Sequence, residues 1–455
     1  MKNMTLCTRL NASIYILIAL LLSLIVTACT TTTAPSNTVT ITYWTHVNPP
    51  VNKVEQQLIA RYEALHPNVK ITYLPVDINS LSTKLTTAFA GGSGPDIFNY
   101  FQSYAPALEQ RGLIAPIDYT SFGVKDENAF AARYLPSIVN GFSYKGAVYG
   151  VPHEISSYIF WINTARFQAA GLDPAKDFPK TWQDVATIGA KLTIRDNGRT
   201  KQEGFTPTLY NSLTDILNLD AMTHQAGGSL FSNDGKVATV NSPAAATALQ
   251  TWADFAHVWK IYDPSLSPAS GGVDLFGNGT AAMTSYGGTF EVSVLQQDFP
   301  QTYKHYTVGP WPRFANGPDS GADLYGFGLY VSKTSQYQAE AWKFARYLAD
   351  NGDTYFRDAG LWLGDNATLN GSATRDFPHW EVFKAAFSSG VFLPPLTHFT
   401  QITDIIERAI QRSVLNGQSA QASLDQAQGE IQPLMYAWRG RQAASYSSEE
   451  EAAFR

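Results

Sequence analysis

The chain has 455 residues, 44% hydrophobic and 15% charged, which excludes a disordered class and exceeds what one core usually supports, so two domains are expected. Its formal net charge is −6, and an acidic chain without a Lys/Arg stripe argues against a nucleic-acid partner. The two cysteines, Cys7 and Cys29, both lie near the N-terminus, which excludes a disulfide-stapled scaffold or a cysteine-based metal site in the rest of the chain.

Residues 1–28 read as an export signal: Lys2 and Arg9 form a basic start, and Ile14 to Val26 is an almost unbroken apolar run. As a helix that run spans roughly 20 Å, short of the roughly 30 Å of a bilayer core. Removing it takes the net charge from −6 to −8, because it holds two bases and no acid. The run ends in Val26-Thr27-Ala28-Cys29, which resembles a bacterial lipobox. The resemblance implies cleavage before Cys29 and acylation of its sulfur, with more than one acyl chain holding the protein on a membrane. The Thr/Ser/Pro-rich residues up to Asn37 would then be a tether, 29–37.

Val39 to Trp44 alternates as a strand. Val51, Val54, Leu58, Tyr62 and Leu65 recur at helical spacing, and Val69–Leu74 is a second strand, so this β-α-β order implies a parallel pair. Ser80 is placed as the cap of a helix carrying Leu81, Leu85 and Phe89. The Gly-rich stop at Gly91–Gly94 is not a phosphate loop, since no Gly-Lys-Ser/Thr follows. Asp96 reads as a strand-end or turn residue.

Lys145-Gly146 is a tight turn, and Pro152 ends the short β run after it. A polar cluster, His153, Glu154, Ser156 and Ser157, precedes an apolar block to Asn163 and a helix stopped by Gly171. Thr181 and Ser242-Pro243 start two further helices, and Asp234-Gly235 marks a hairpin. Helical patterns also follow Lys333 and cover Ile402–Leu415 and Ala420–Met435; residues after Arg439 are polar.

Several of these stretches together resemble the extracellular solute-binding proteins of ABC importers, in particular the carbohydrate-binding, maltose-binding-like family 1. They are Gly94-Pro95-Asp96, Gln110-Arg111-Gly112-Leu113, Gly146-x-x-Tyr149-Gly150-Val151-Pro152 with Ala169-Ala170-Gly171-Leu172, Ala226 to Lys236, Ala282-Met283 to Gly287-Gly288, and Leu324 to Lys333. Two departures stand out. Phe290 sits one place later than the family's usual aromatic, and Trp362 lies where the family often has Gly-x-x-Pro.

The resemblance implies an α/β, two-lobed periplasmic-binding-protein-like fold with a ligand cleft between lobes joined by crossing segments. The lobes are expected at residues 38–152 plus 326–358 and at 153–325 plus 359–439, with a tail at 440–455. It further implies a monomer on the outer face of the cell membrane or in the periplasm, a sugar or oligosaccharide ligand, importer permease subunits as partners, and neither catalysis nor a cofactor.

Sugar rings present an apolar C–H face and a hydroxyl rim, which aromatic rings and hydrogen-bonding side chains match. The resemblance places Trp44, Tyr100, Phe290, Tyr325 and Trp362 for faces and His46, Gln102, Ser103, Glu154, Ser156 and Asp365 for rims. Core packing is the alternative for each aromatic. Trp44 and Trp362 adjoin polar residues at an expected strand end or loop. No His-Glu-x-x-His, Gly-x-Ser-x-Gly or EF-hand loop occurs, and the eight histidines show no paired ligand spacing, so no metal site is expected. A binding lipoprotein for another solute and a surface-anchored glycoside hydrolase remain as alternatives; the segments expected to line the cleft hold no Arg, which disfavours anions.

Overall fold

The computed structural model describes residues 38–207, 212–266, 272–318 and 323–435. The leader, Cys29, the tether and the tail at 440–455 lie outside them. Among the described residues no helix is long and apolar enough to cross a membrane.

Among the described residues the strands are β1 Val39–His46, β2 Val69–Val76, β3 Ile97–Phe101, β4 Ser143–Tyr144, β5 Ala147–Val148, β6 Val151–Ser157, β7 Phe160–Asn163, β8 Ile194–Asp196, β9 Arg199–Gln202, β10 Met283–Thr284, β11 Tyr306–Gly309 and β12 Leu324–Val331. The first lobe is built on a five-stranded sheet in the order β2-β1-β3-β12-β6. The expected parallel pair is there, with Val39 opposite Val69 through His46 opposite Val76. The helix Pro49–Leu65 makes the crossover and buries Val51, Val54, Leu58 and Tyr62 from one face. The second lobe carries a small antiparallel sheet, β10-β7-β11. Helices Trp182–Leu192, Ser212–Gln225, Pro243–His257 and Phe399–Val414 share its core.

Local signals mostly have the expected outcome. Lys145 and Gly146 both take positive φ, 47° and 81°, and close the β4–β5 hairpin. Thr181 and Asp184 form a reciprocal capping box, and the Ser242 side chain accepts from the Ala245 amide. Asp96 is the strand-end residue expected, accepting from the Thr42 amide and hydroxyl at 2.8 Å each and from Ser335 at 2.6 Å. One cap differs. The helix Ile78–Ala90 begins before Ser80, and Asp77 is its cap, taking the Ser80 amide at 3.2 Å.

The lobe boundaries also differ from expectation. All of β6 is paired with β12 in the first sheet, Ser157 opposite Leu324 and Ser156 opposite Tyr325, so the chain leaves that sheet after Ser157 and not after Pro152. Two residues, Tyr158 and Ile159, then separate it from β7 of the other sheet. The segment after 359 does not go straight to the second lobe. Trp362, Leu363, Leu369, Trp380, Phe383 and Phe387 pack in the first core, and the chain joins the second core from Leu393. The reason is pairing at a distance: the Ile155 amide donates to the Trp362 carbonyl at 2.8 Å, fastening this loop to β6.

Candidate functional site

β1 and β3 run parallel, and β12 is antiparallel to both β3 and β6. The carboxyl ends of β1, β3 and β6 therefore share one sheet edge, which the amino end of β12 also joins. In open α/β sheets that edge is the usual place for a ligand crevice. Here it carries Thr45 and His46, then Gln102 and Ser103 just beyond Phe101, then Glu154 to Ser157, then Tyr325. The chain crosses to the second lobe at the same edge.

Glu154 is the centre of the polar part. Its Oε1 accepts from Asn99 Nδ2 at 2.7 Å, and its Oε2 lies 3.4 Å from His46 Nε2. The His46 ring stacks on Phe327 at 4.4 Å between centroids. Burial pushes the Glu154 carboxyl up to about 7 and the His46 imidazole down to about 4. At neutral pH His46 is therefore uncharged, and Glu154 sits near the midpoint of its ionisation. Among the described residues no Lys or Arg pairs with Glu154. Three buried polar atoms beside this pair have no hydrogen-bond partner: Thr45 Oγ1, His46 Nδ1 and Asn99 Oδ1.

A bulge aims these groups. Phe327 opposes Glu154, and the next residue, Gly328, opposes Pro152, so His153 is the extra residue of β6. His153 turns into the first core, where its Nε2 lies 3.2 Å from Glu55 Oε1, while Glu154 faces the edge.

The aromatic part of the edge is a row of tyrosines. The Tyr158 ring lies 4.6 Å from Tyr286 and 4.8 Å from Tyr325. The Gly287-Gly288 loop of the second lobe closes against it: a Cβ at Gly288 would stand 2.3 Å from Ser156 Oγ, and one at Gly287 2.1 Å from the Trp161 ring. Only glycine allows this approach. Phe290 is half-buried at the second position of the helix Thr289–Asp298 that follows. Gln102 and Ser103 are buried and bonded to each other at 2.9 Å. Their neighbour Phe101 stacks on Phe399 of the second lobe, and Tyr104 meets the same ring edge-on. Trp44 is half-buried, with Lys84 Nζ 5.1 Å over its ring.

The structure thus gathers His46, Glu154, Ser156 and Tyr325 at one edge, with Gln102 and Ser103 where the lobes meet. Three expected residues lie elsewhere. Tyr100 points to the other face of β3, bonded to Ser82 at 2.8 Å and packed on Tyr104, because strand alternation sends Asn99 toward Glu154 instead. Trp362 is fully buried, stacked on Phe387 at 4.5 Å, with its indole donating to the Asp365 carbonyl at 2.9 Å. Asp365 caps the short helix Asn366–Leu369 by accepting from the Thr368 amide at 2.6 Å. Thr45, Asn99, Tyr158 and Tyr286 were not expected. Alternation along Phe98-Asn99-Tyr100 was the signal available for Asn99; the others depend on which strands become neighbours.

The family of bacterial extracellular solute-binding proteins matches residues 48–355. An uncharacterized lipoprotein in the oleD 5' region of Streptomyces antibioticus is 27% identical over 304 residues, 64% of this chain and 62% of that protein. The chain thus spans about three fifths of the length of that relative. The putative ABC transporter periplasmic-binding protein YcjN of Escherichia coli (strain K12) is 26% identical over 347 residues, 70% of this chain and 71% of that protein. A solved solute-binding protein from Thermotoga lettingae TMO, bound with α-D-tagatose, superposes with a TM-score of 0.74 at 21% identity, covering 87% of this chain and 100% of its own. That likeness shows the two-lobed fold. The match to the family extends over more than half of the chain: this protein belongs to the bacterial extracellular solute-binding protein family.

Proposed function

We propose that the chain is the ligand-capturing component of an ABC importer. It is exported, held at the membrane by lipid on Cys29, and binds a neutral sugar or oligosaccharide between its lobes. The observation that carries this reading is the sheet edge itself. Thr45 Oγ1, His46 Nδ1 and Asn99 Oδ1 are buried without partners beside Glu154. Unpaired buried polar groups cost about 1–3 kcal/mol each, a cost that ligand hydroxyls would offset. The row Tyr158, Tyr286 and Tyr325 offers ring faces for a sugar's C–H groups. The α-D-tagatose held by a protein of the same fold supports the ligand class. Ligand contacts to both lobes favour a closed state, which the permease subunits recognise, and no bond of the ligand is broken.

A thermal-shift screen of mono- and oligosaccharides tests the ligand class, with a phosphorylated polyol as the anionic control. A ligand at a hundred times its dissociation constant adds about 2.7 kcal/mol. A shift with the phosphorylated polyol alone would overturn the neutral-sugar reading. Steady release of shorter sugars would instead favour a hydrolase.

Glu154→Gln weakens binding by about 1–3 kcal/mol in calorimetry, the range for a lost buried partner. Wild-type affinity should also rise with pH through about 7, where Glu154 ionises and becomes a pure acceptor for ligand hydroxyls. The variant's affinity should be flat there; a wild-type affinity independent of pH across that window removes Glu154 from the contact. Cys29→Ser should abolish incorporation of labelled fatty acid, and continued labelling would refute the anchor.

A further inference from the structure

We propose that Asp220, His224 and Asp323 form a binding site for one divalent transition-metal ion, of the zinc or manganese kind, at the foot of the crossing into β12. Asp220 and His224 are one turn apart on the helix Ser212–Gln225, and Asp323 directly precedes β12. The His224 ring lies between the two carboxylates, with Nε2 3.7 Å from Asp220 Oδ2 and Nδ1 3.8 Å from Asp323 Oδ1, and one of these two nitrogens would ligate the ion. Each residue offers one donor atom, and the three atoms lie within 4.8 Å of one another. A metal ion bound about 2.0–2.2 Å from each donor would draw the three donors closer together.

The second observation is the state of Asp323. It is 3% exposed, and its Oδ2 meets no hydrogen-bond donor. Among the described residues neither Asp220 nor Asp323 pairs with a Lys or Arg. Two buried carboxylates therefore face each other with a single imidazole to share. A divalent cation with a neutral imidazole brings the cluster to zero net charge, as would two protons, one on the imidazole and one shared by the carboxyls.

The surroundings suit a metal site. Asp220 Oδ1 is fixed by the Leu230 amide at 2.9 Å, an outer contact that orients the carboxylate. His224 is 29% exposed, which gives an ion a way in and leaves room for water to complete the coordination. The mixed imidazole and carboxylate donors favour zinc or manganese over calcium, which prefers oxygen alone. A bound ion would tie Asp323, and so the start of the crossing strand, to the second-lobe helix. This site is independent of what the cleft holds.

Equilibrium dialysis of the untagged mature chain against zinc or manganese, followed by elemental analysis, tests the proposal. About one ion per chain is expected, with a higher melting temperature when the metal is present. Asp323→Asn and His224→Gln should each lose that ion while keeping the wild-type circular dichroism spectrum. If Asp323→Asn does not fold, His224→Gln, which alters a partly exposed side chain, decides. Wild-type protein that takes up neither metal, or a folded variant that keeps its ion, would overturn the site and leave a shared proton as the link between the two carboxyls.

Discussion

Trp362→Ala should lower the free energy of unfolding by about 3–5 kcal/mol, the range for deleting a buried large aromatic. The indole is fully buried and stacked on Phe387 at an interplanar angle of 29°. Its removal leaves a cavity and strands the Asp365 carbonyl, which accepts from the indole N–H at 2.9 Å. The sequence places Trp362 in the ligand cleft, where its loss would weaken binding and spare stability. The packing reverses that expectation. Urea unfolding reads the first quantity, and calorimetry well below the melting temperature reads the second. A variant that unfolds like wild type but no longer binds ligand would return Trp362 to the cleft.

Glu55→Ala should cost a similar amount, about 3–5 kcal/mol, because it breaks a buried network by removing its centre. Glu55 Oε1 accepts from Tyr43 at 2.5 Å and faces His153 Nε2 at 3.2 Å, while Oε2 accepts from Tyr73 at 2.6 Å. Burial alone would raise this carboxyl. The hydrogen bond and charge of His153, with the two tyrosine hydroxyls, outweigh it and hold the group below its ordinary 4.5. A depressed carboxyl contributes stability that is fully present above the unfolded value and lost as pH falls through the folded one. Wild-type melting temperature should therefore drop in acid below about pH 4.5, and Glu55→Gln should flatten that part of the profile. Equal acid sensitivity in both proteins would show that other carboxylates carry the effect. The network bears on the proposed site because His153, the bulged residue, is held by Glu55 while its neighbour Glu154 faces the shared sheet edge.

Much of the architecture was legible in the residues alone. Val39 to Trp44, the Val51–Leu65 stripe and Val69–Leu74 gave a parallel β-α-β unit, since period and order suffice for that. The Lys145-Gly146 turn, the Thr181 box and the Ser242 cap were equally local. The resemblance added the passage between two sheets and named four residues that share one sheet edge, His46, Glu154, Ser156 and Tyr325.

Other features were decided by contacts between distant parts of the chain. Nothing near Trp362 announces Phe387 or the Ile155 amide, so an aromatic beside polar residues read as a site when it is core. Tyr100 and Asn99 exchange roles according to which face of β3 the helix Ile78–Ala90 covers. The end of the first lobe moves from Pro152 to Ser157 because β12 pairs with the whole of β6. Asp220 and His224 share a helix face by spacing alone, but the third member, Asp323, reaches them only once β12 is placed. Backbone dihedrals and side-chain period act within a few residues and can be read from a single stretch. Burial, the aim of a bulged strand and a shared charge depend on neighbours that only the folded chain supplies.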